Sequence, residues 1–174
     1  MVCPYCDHVN TPGSDACEQC GHSLTAFHPP PLANPVEKGL VRDRVATLNP
    51  RTPIVAEANM PIRQVLKMMV DYSIGCVLIV KDGKPIGVFT ERDAVVKLNS
   101  RYASLSERPV SEFMTPNPQT LDAGAKIAFA VQRMDVGSYR HIPIVDAQGR
   151  ATGIISVRDI LRYFTERLDR AKAH

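Results

Sequence analysis

Two cysteine pairs open the chain. Cys3-x2-Cys6 and Cys17-x2-Cys20 are separated by ten residues, and the fifth cysteine, Cys76, stands apart in an apolar run. A Cys-x2-Cys turn sets two thiolates on one side of a tight knuckle, and two knuckles supply the four sulfurs of a structural zinc site. Pro4 stiffens the first turn. Gly21 follows the second pair, where a left-handed backbone is often required. About twenty residues bury too little surface to fold unaided, so the metal is expected to supply the folding free energy. Reduced, unligated cysteines are the competing reading, and two matched pairs argue against it. His8 and His22 are alternative ligands, but four cysteines complete the set and leave no open position for catalysis. Cys76 calls only for a small buried side chain, since an apolar setting raises a thiol's pKa and makes it inert.

A second type of constellation occurs twice, as Thr90-x2-Asp93 and Ser156-x2-Asp159. Each reads first as a helix capping box in which Asp replaces the more usual Glu or Gln. The same geometry can serve a ligand. A helix N-terminus offers free amides to a phosphate, and a carboxylate one turn in can accept from both hydroxyls of a ribose. From the turns alone, capping and ligand binding stand about even. Arg92 and Arg158 are placed to neutralise phosphate, or are simply solvated helix charges.

The elements that must position these turns form a repeat. Pro53 aligns with Pro118, Met69 with Met134, Val77 with Ile142, Ile79 with Ile144 and Val80 with Val145. After one extra residue, Gly87 aligns with Gly153, Thr90 with Ser156 and Asp93 with Asp159. Such self-similarity marks two copies of one supersecondary unit. Each copy opens with an extended piece (Pro53–Val55; Pro118–Thr120). An amphipathic helix follows, with apolar residues at Ile62, Val65, Leu66, Met69 and at Ile127, Ala130, Val131, Met134. Next come a strand (Val77–Val80; Ile142–Val145), a turn (Asp82-Gly83; Asp146–Gly149), a second strand (Ile86–Phe89; Gly153–Ile155) and a second helix, best marked by Val157, Ile160, Leu161, Phe164 and Leu168. The order is β-α-β-β-α, twice. Neither copy covers its sheet alone, whereas two packed together do, which gives an α+β fold. The expected divisions are a head at 1–24, a proline-rich spacer at 25–40 (Phe27–Pro35, extended and holding the head away from the body), a first copy at 41–104 and a second at 105–174.

The head, Cys-Pro-Tyr-Cys…Cys-Glu-Gln-Cys-Gly-His-Ser-Leu over residues 3–24, resembles the short zinc-ribbon of many microbial regulatory proteins. The body resembles a tandem CBS (cystathionine-beta-synthase) pair over about residues 41–170. It carries Gly-Val-Phe-Thr-Glu-Arg-Asp and Gly-Ile-Ile-Ser-Val-Arg-Asp at corresponding turns, and Val-Ser-Glu-Phe-Met-Thr as the lead-in to the second repeat. That resemblance implies adenosine-nucleotide sites in which Asp93 and Asp159 hold ribose, while Thr90 and Ser156 support the phosphate end. Arg92 and Arg158 stand beside them. The first inner strand of each copy would wall the adenine: Tyr139-Arg140-His141-Ile142-Pro143 in copy two, with Arg140 and His141 near phosphate, and Cys76-Val77-Leu78 in copy one. Thr120 in copy two corresponds to Val55 in copy one. Copy two is therefore expected to be the better site. Modules of this type also pair, so a homodimer is expected.

The totals restrict the remaining classes. The chain has 174 residues, 44% of them hydrophobic, and a net charge of +3. Residues 1–40 hold Lys38 against Asp7, Asp15, Glu18 and Glu37, so the head side is acidic and the remainder basic. Four thiolates on one Zn²⁺ add to that negative balance, which opposes phosphate contact and favours a protein partner for the head over nucleic acid. The opening residues carry neither a basic nor an apolar stretch of the secretory kind, and the aliphatic run Cys76–Val80 is far too short for a bilayer. A cytoplasmic location without membrane contact is expected. No nucleophile elbow, zinc-protease motif, phosphate loop or dinucleotide fingerprint is present. The reading is a regulatory protein that senses AMP, ADP, ATP or S-adenosylmethionine and signals to a protein partner, rather than an enzyme. The alternatives are a ligand-free structural adaptor and a nucleic-acid-binding regulator.

Overall fold

The structure is a computed structural model that describes residues 2–3, 6–24 and 34–172, with side chains through 170. Pro4 and the 27–33 part of the proline-rich stretch lie outside the described residues. The chain divides into two compact units. One comprises Met1–Pro50, Asp122–Arg140 and Ile155–His174; the other comprises Arg51–Leu121 and His141–Ile154.

The second unit is built on a four-stranded sheet in the order β1 (Val55–Glu57), β2 (Cys76–Lys81), β3 (Lys84–Thr90), β4 (Thr115–Pro116). β1 runs parallel to β2, and β2 and β3 form an antiparallel hairpin. The hairpin turn is Asp82-Gly83, both with positive φ (52° and 75°), the conformation that the Asp-Gly pair favours. Helix α2 (Ile62–Asp71) covers one face of this sheet. Its buried Ile62, Val65 and Met69 pack with Ala56, Val77, Ile79 and Phe89. The opposite face presents Cys76, Leu78 and Val88, which pack with Val80, Ala151 and Ile154. Ala151 and Ile154 belong to copy two, so the copies meet through their sheets, as the repeat requires.

Past β3 the chain forms a short helical turn, α3 (Glu91–Asp93), then a wide π turn (Ala94–Leu98), a 3₁₀ turn (Asn99–Arg101) and α4 (Tyr102–Leu105). The lead-in to the second copy then returns to the first. Val110 is fully buried in the α2 core with Phe113 and Met114 beside it, and the Val110 amide donates to the Met60 carbonyl at 2.9 Å. Gly87 leaves room for Met114 here: a Cβ at that position would lie 2.2 Å from the Met114 sulfur, so that side chain would have to shift.

The first unit contains α1 (Pro35–Arg42), α5 (Ile127–Gly137) and α6 (Val157–Lys172). α1 begins inside the stretch expected as spacer. Asn34 and Glu37 form a reciprocal capping box with Pro35 at the first helical position, a start signal that overrides the proline-rich context. After α1 the lead-in to the first copy docks on the second. The Val45 and Ala46 amides donate to Ala125 and Ala123, and Tyr163 and Arg167 of α6 donate to the Asp43 carboxylate. Each copy is thus completed by the lead-in of the other. The second sheet has the order β5 (Leu121–Asp122), β6 (His141–Val145), β7 (Ala151–Ser156). Among the described residues no helix is long and apolar enough to cross a membrane.

Candidate functional sites in the cysteine head and the capping turns

The head is two knuckles of the same construction. In the first, the Cys3 amide donates to the His8 carbonyl and the Asp7 amide donates back to Cys3. In the second, the Cys17 amide donates to His22 and the Gly21 amide donates back to Cys17. Gly21 has φ +69°, as its place after the second pair predicts, and Asp7 takes the equivalent position at φ +60°. The sulfurs of Cys3, Cys6, Cys17 and Cys20 lie within 4.8 Å of one another. The Cys3–Cys20 and Cys6–Cys17 separations are 3.7 and 3.5 Å. Four sulfurs about 2.3 Å from a central zinc would stand roughly 3.8 Å apart, so the donor set fits a tetrahedral ion. Within the second knuckle only Cys17 is held toward thiolate. Burial works to raise the Cys17 thiol, but the backbone N–H groups of Cys20 and Gln19, together with Cys6, bring it down to about 6. Burial pushes Cys20 and Cys6 up.

The head does not stand away from the body. Asp7 pairs with Arg44 at 2.6 Å and with Lys126 at 3.0 Å, and the Lys126 hydrogen bond holds its carboxyl below the usual carboxylate range. The His22 ring lies 5.7 Å from that of Phe129 and its side chain bonds Gln132. His22 is therefore neither a ligand nor a free surface group. The expectation of a head held off by its spacer is corrected by these contacts. They were invisible in sequence because they join residues far apart in the chain, Asp7 with Arg44 and Lys126, and His22 with Phe129.

Both capping turns form. In copy one the Asp93 Oδ2 accepts from the Thr90 amide (2.9 Å) and hydroxyl (2.6 Å), and the Asp93 amide donates to the Thr90 hydroxyl. Asp93 Oδ1 meets Lys97 at 2.7 Å and Thr115 at 3.2 Å. Burial works to raise this carboxyl, but bonds from Lys97 and Thr90 outweigh it and hold it below the ordinary range. In copy two the Asp159 Oδ2 accepts from the Ser156 amide and hydroxyl, both at 2.7 Å, and Oδ1 pairs with Arg162. The two carboxylates are buried, at 8% and 5% exposure. Lys97 and Arg162 are the residues that sequence reasoning missed. The signal was a cation three or four positions after each Asp, on the same helix face.

The other expected site residues divide by face and by unit. Cys76 and Leu78 lie on the sheet face opposite α2, and their strand neighbours place Val55 and Thr90 there too. Val77 points into the α2 core, so only its backbone faces that way. Burial pushes the Cys76 thiol up to about 12, which keeps it protonated and inert, as expected of it. Arg92, Arg140 and Arg158 are exposed, Thr120 and His141 half-buried, and Ile142 and Pro143 buried. Arg140, Ser156, Arg158 and Asp159 belong to the first unit; Thr120, His141, Ile142 and Pro143 belong to the second. The Arg140 carbonyl accepts the Val157 amide at 3.0 Å, a bond within the first unit.

This two-fold β-α-β-β-α arrangement matches a known family model, described as "CBS domain", over residues 41–100 and again over 110–166. The chain belongs to the CBS domain family. Among relatives of the CBS pair, an uncharacterised 17.7 kDa protein of Acidianus ambivalens is 28% identical over 62% of this chain and 65% of its own. An uncharacterised Methanopyrus kandleri protein is 35% identical over 54% of this chain and 48% of its own. The match thus spans less than two thirds of either relative's length. Among solved structures, the CBS domain pair of protein MJ0100, crystallised with 5′-methylthioadenosine and S-adenosyl-L-methionine, superposes with a TM-score of 0.61. It is 25% identical over 70% of this chain and 99% of that one.

Proposed function

We propose that this CBS pair is a cytoplasmic, non-catalytic regulatory sensor. It takes an adenosine nucleotide (AMP, ADP, ATP or S-adenosylmethionine) at the capping turns and signals to a protein partner, with a structural zinc held by Cys3, Cys6, Cys17 and Cys20. The observation that carries this reading is the duplicated buried carboxylate, Asp93 and Asp159, at the start of the second helix of each copy. A carboxylate there can accept from a ribose diol while the adjacent amides and Arg92 or Arg158 meet phosphate. The adenosine compounds held by the MJ0100 pair support this chemistry. By the family resemblance, Thr120, Arg140, His141, Ile142 and Pro143 are the residues expected to serve nucleotide binding in copy two, and Val55, Cys76, Val77 and Leu78 in copy one.

We also propose a homodimer. α6 exposes Val157, Leu161 and Leu168, spaced along one face, and copy one exposes Val95, Val96 and Tyr102. The last of these borders an open groove of about 460 Å³ lined by Leu66, Ala94, Val95, Leu98, Asn99 and Tyr102. Apolar faces of this kind are what subunit association buries.

One observation favours a second reading. Every oxygen of Asp93 and Asp159 already has a partner within its own helix turn or the adjoining strand, as a purely structural cap requires. A ligand-screening melt of zinc-loaded protein decides between them. A ligand bound only by the folded state raises Tm. A rise with one adenosine compound supports the sensor, and no shift with AMP, ADP, ATP or S-adenosylmethionine supports the adaptor. A nucleic-acid binder would instead show affinity falling steeply with salt.

A further inference from the structure

Lys126 is 8% exposed and sits at the N-cap of α5. That is a poor place for an ammonium, because burial strips its water and the positive end of the helix dipole faces it. Its neutralising partner comes from the head. Asp7 Oδ2 lies 3.0 Å from Lys126 Nζ and 2.6 Å from Arg44 Nη2. Arg44 in turn donates to the Gly124 carbonyl at 2.6 Å, just before α5 begins. The seat continues along α5, where Phe129 meets His22, Gln132 bonds His22, and Arg133 stacks over Phe129 at 4.4 Å.

Asp7 itself occupies a costly position. In the second knuckle the equivalent residue is glycine, Gly21, and both are left-handed. An aspartate tolerates that conformation less well than glycine does, so its presence in the first knuckle is explained by what its carboxylate reaches. The acidic head and the basic surface made by Arg44, Lys126 and Arg133 are complementary in charge.

We propose that this surface of copy two is the docking seat of the cysteine head, and that metal in the four thiolates sets the latch. The ion fixes the Cys3–Cys6 knuckle, the knuckle aims Asp7, and Asp7 neutralises Lys126 and Arg44. Stripping the metal frees the knuckle, withdraws the carboxylate and leaves a buried cation at the start of α5, so the head leaves and the first turn of α5 opens. The latch rests on the zinc reading above but reads out separately from it.

Hydrogen–deuterium exchange on the full chain tests this, with metal content measured on the same samples. Chelation should raise exchange of amides 122–130 by about ten-fold or more, while peptides in 76–90 stay protected. Asp7→Asn should reproduce that rise at full metal content, as should Asp7→Gly, which copies the second knuckle into the first. Unchanged exchange at 122–130 after chelation, or in either variant, overturns the latch. A protein that carries no metal overturns the zinc reading and the metal control with it, whereas a metal-loaded protein whose seat ignores Asp7 overturns the latch alone.

Discussion

Two carboxylates serve the same structural purpose in the two copies but are held differently. Lys97 is anchored at both ends of its reach, on Asp93 and on the Phe113 carbonyl at 2.7 Å. Arg162 has a side chain half open to solvent and can leave Asp159 more readily. Under the proposed nucleotide reading, a ribose diol would displace Arg162 from Asp159 more easily than Lys97 from Asp93. Asp159→Ala should weaken adenine-nucleotide binding by about ten-fold or more, the worth of a charge-assisted hydrogen bond, with a smaller loss for Asp93→Ala; calorimetry on both variants reads the difference, and equal losses would mean equivalent sites. Asp93 also sets a pH dependence. Its folded pKa lies below the unfolded value, so its contribution is fully present above the unfolded carboxylate range near pH 4 and is lost as pH falls through the depressed value. Lys97→Met should move the acid-unfolding midpoint to higher pH, and an unchanged midpoint would show that the pair contributes nothing.

At the scale of elements, the duplicated pattern was legible because both copies keep helical and strand periodicity in register and both keep a hydroxyl–carboxylate cap. Strand ends were less so. The extended pieces expected from Pro53 and Pro118 pair as strands only at Val55–Glu57 and Leu121–Asp122, since proline cannot donate to a ladder. α1 was hidden by the prolines around it, although Asn34-Pro35-x-Glu37 is a start signal. The second helix of copy one breaks into short turns, where Asn99 adopts a positive φ. The glycine repeated at positions 87 and 153 was legible as a motif, but its reason in copy one was not, because Met114 comes from the lead-in of the other copy. Gly87→Ala should destabilise by roughly 1–3 kcal/mol through overpacking. Met114→Ala in the same chain should recover part of that loss, and strict additivity in denaturant titrations would show that the two do not collide.

On the scale of the whole molecule, light scattering should give a dimer, and Leu161→Asp on the exposed face of α6 should shift it toward monomer without lowering the zinc content. The exchanged lead-ins predict what cutting does. A fragment of residues 41–104 lacks Val110, Phe113 and Met114, which fill its core, and a fragment of 105–174 lacks the 43–46 segment that pairs with Ala123 and Ala125. Each should be largely unfolded by circular dichroism when expressed alone, and a cooperative melt from either would contradict the exchange. The same exchange bears on ancestry. A gene encoding one copy would yield a polypeptide whose lead-in seat stays bare and whose own lead-in has nothing to fill. Two such polypeptides trading arms would close both defects at once, and head-to-tail duplication of the gene would then preserve every contact while adding only a covalent bridge. The present chain has the connectivity of an arm-swapped pair made permanent.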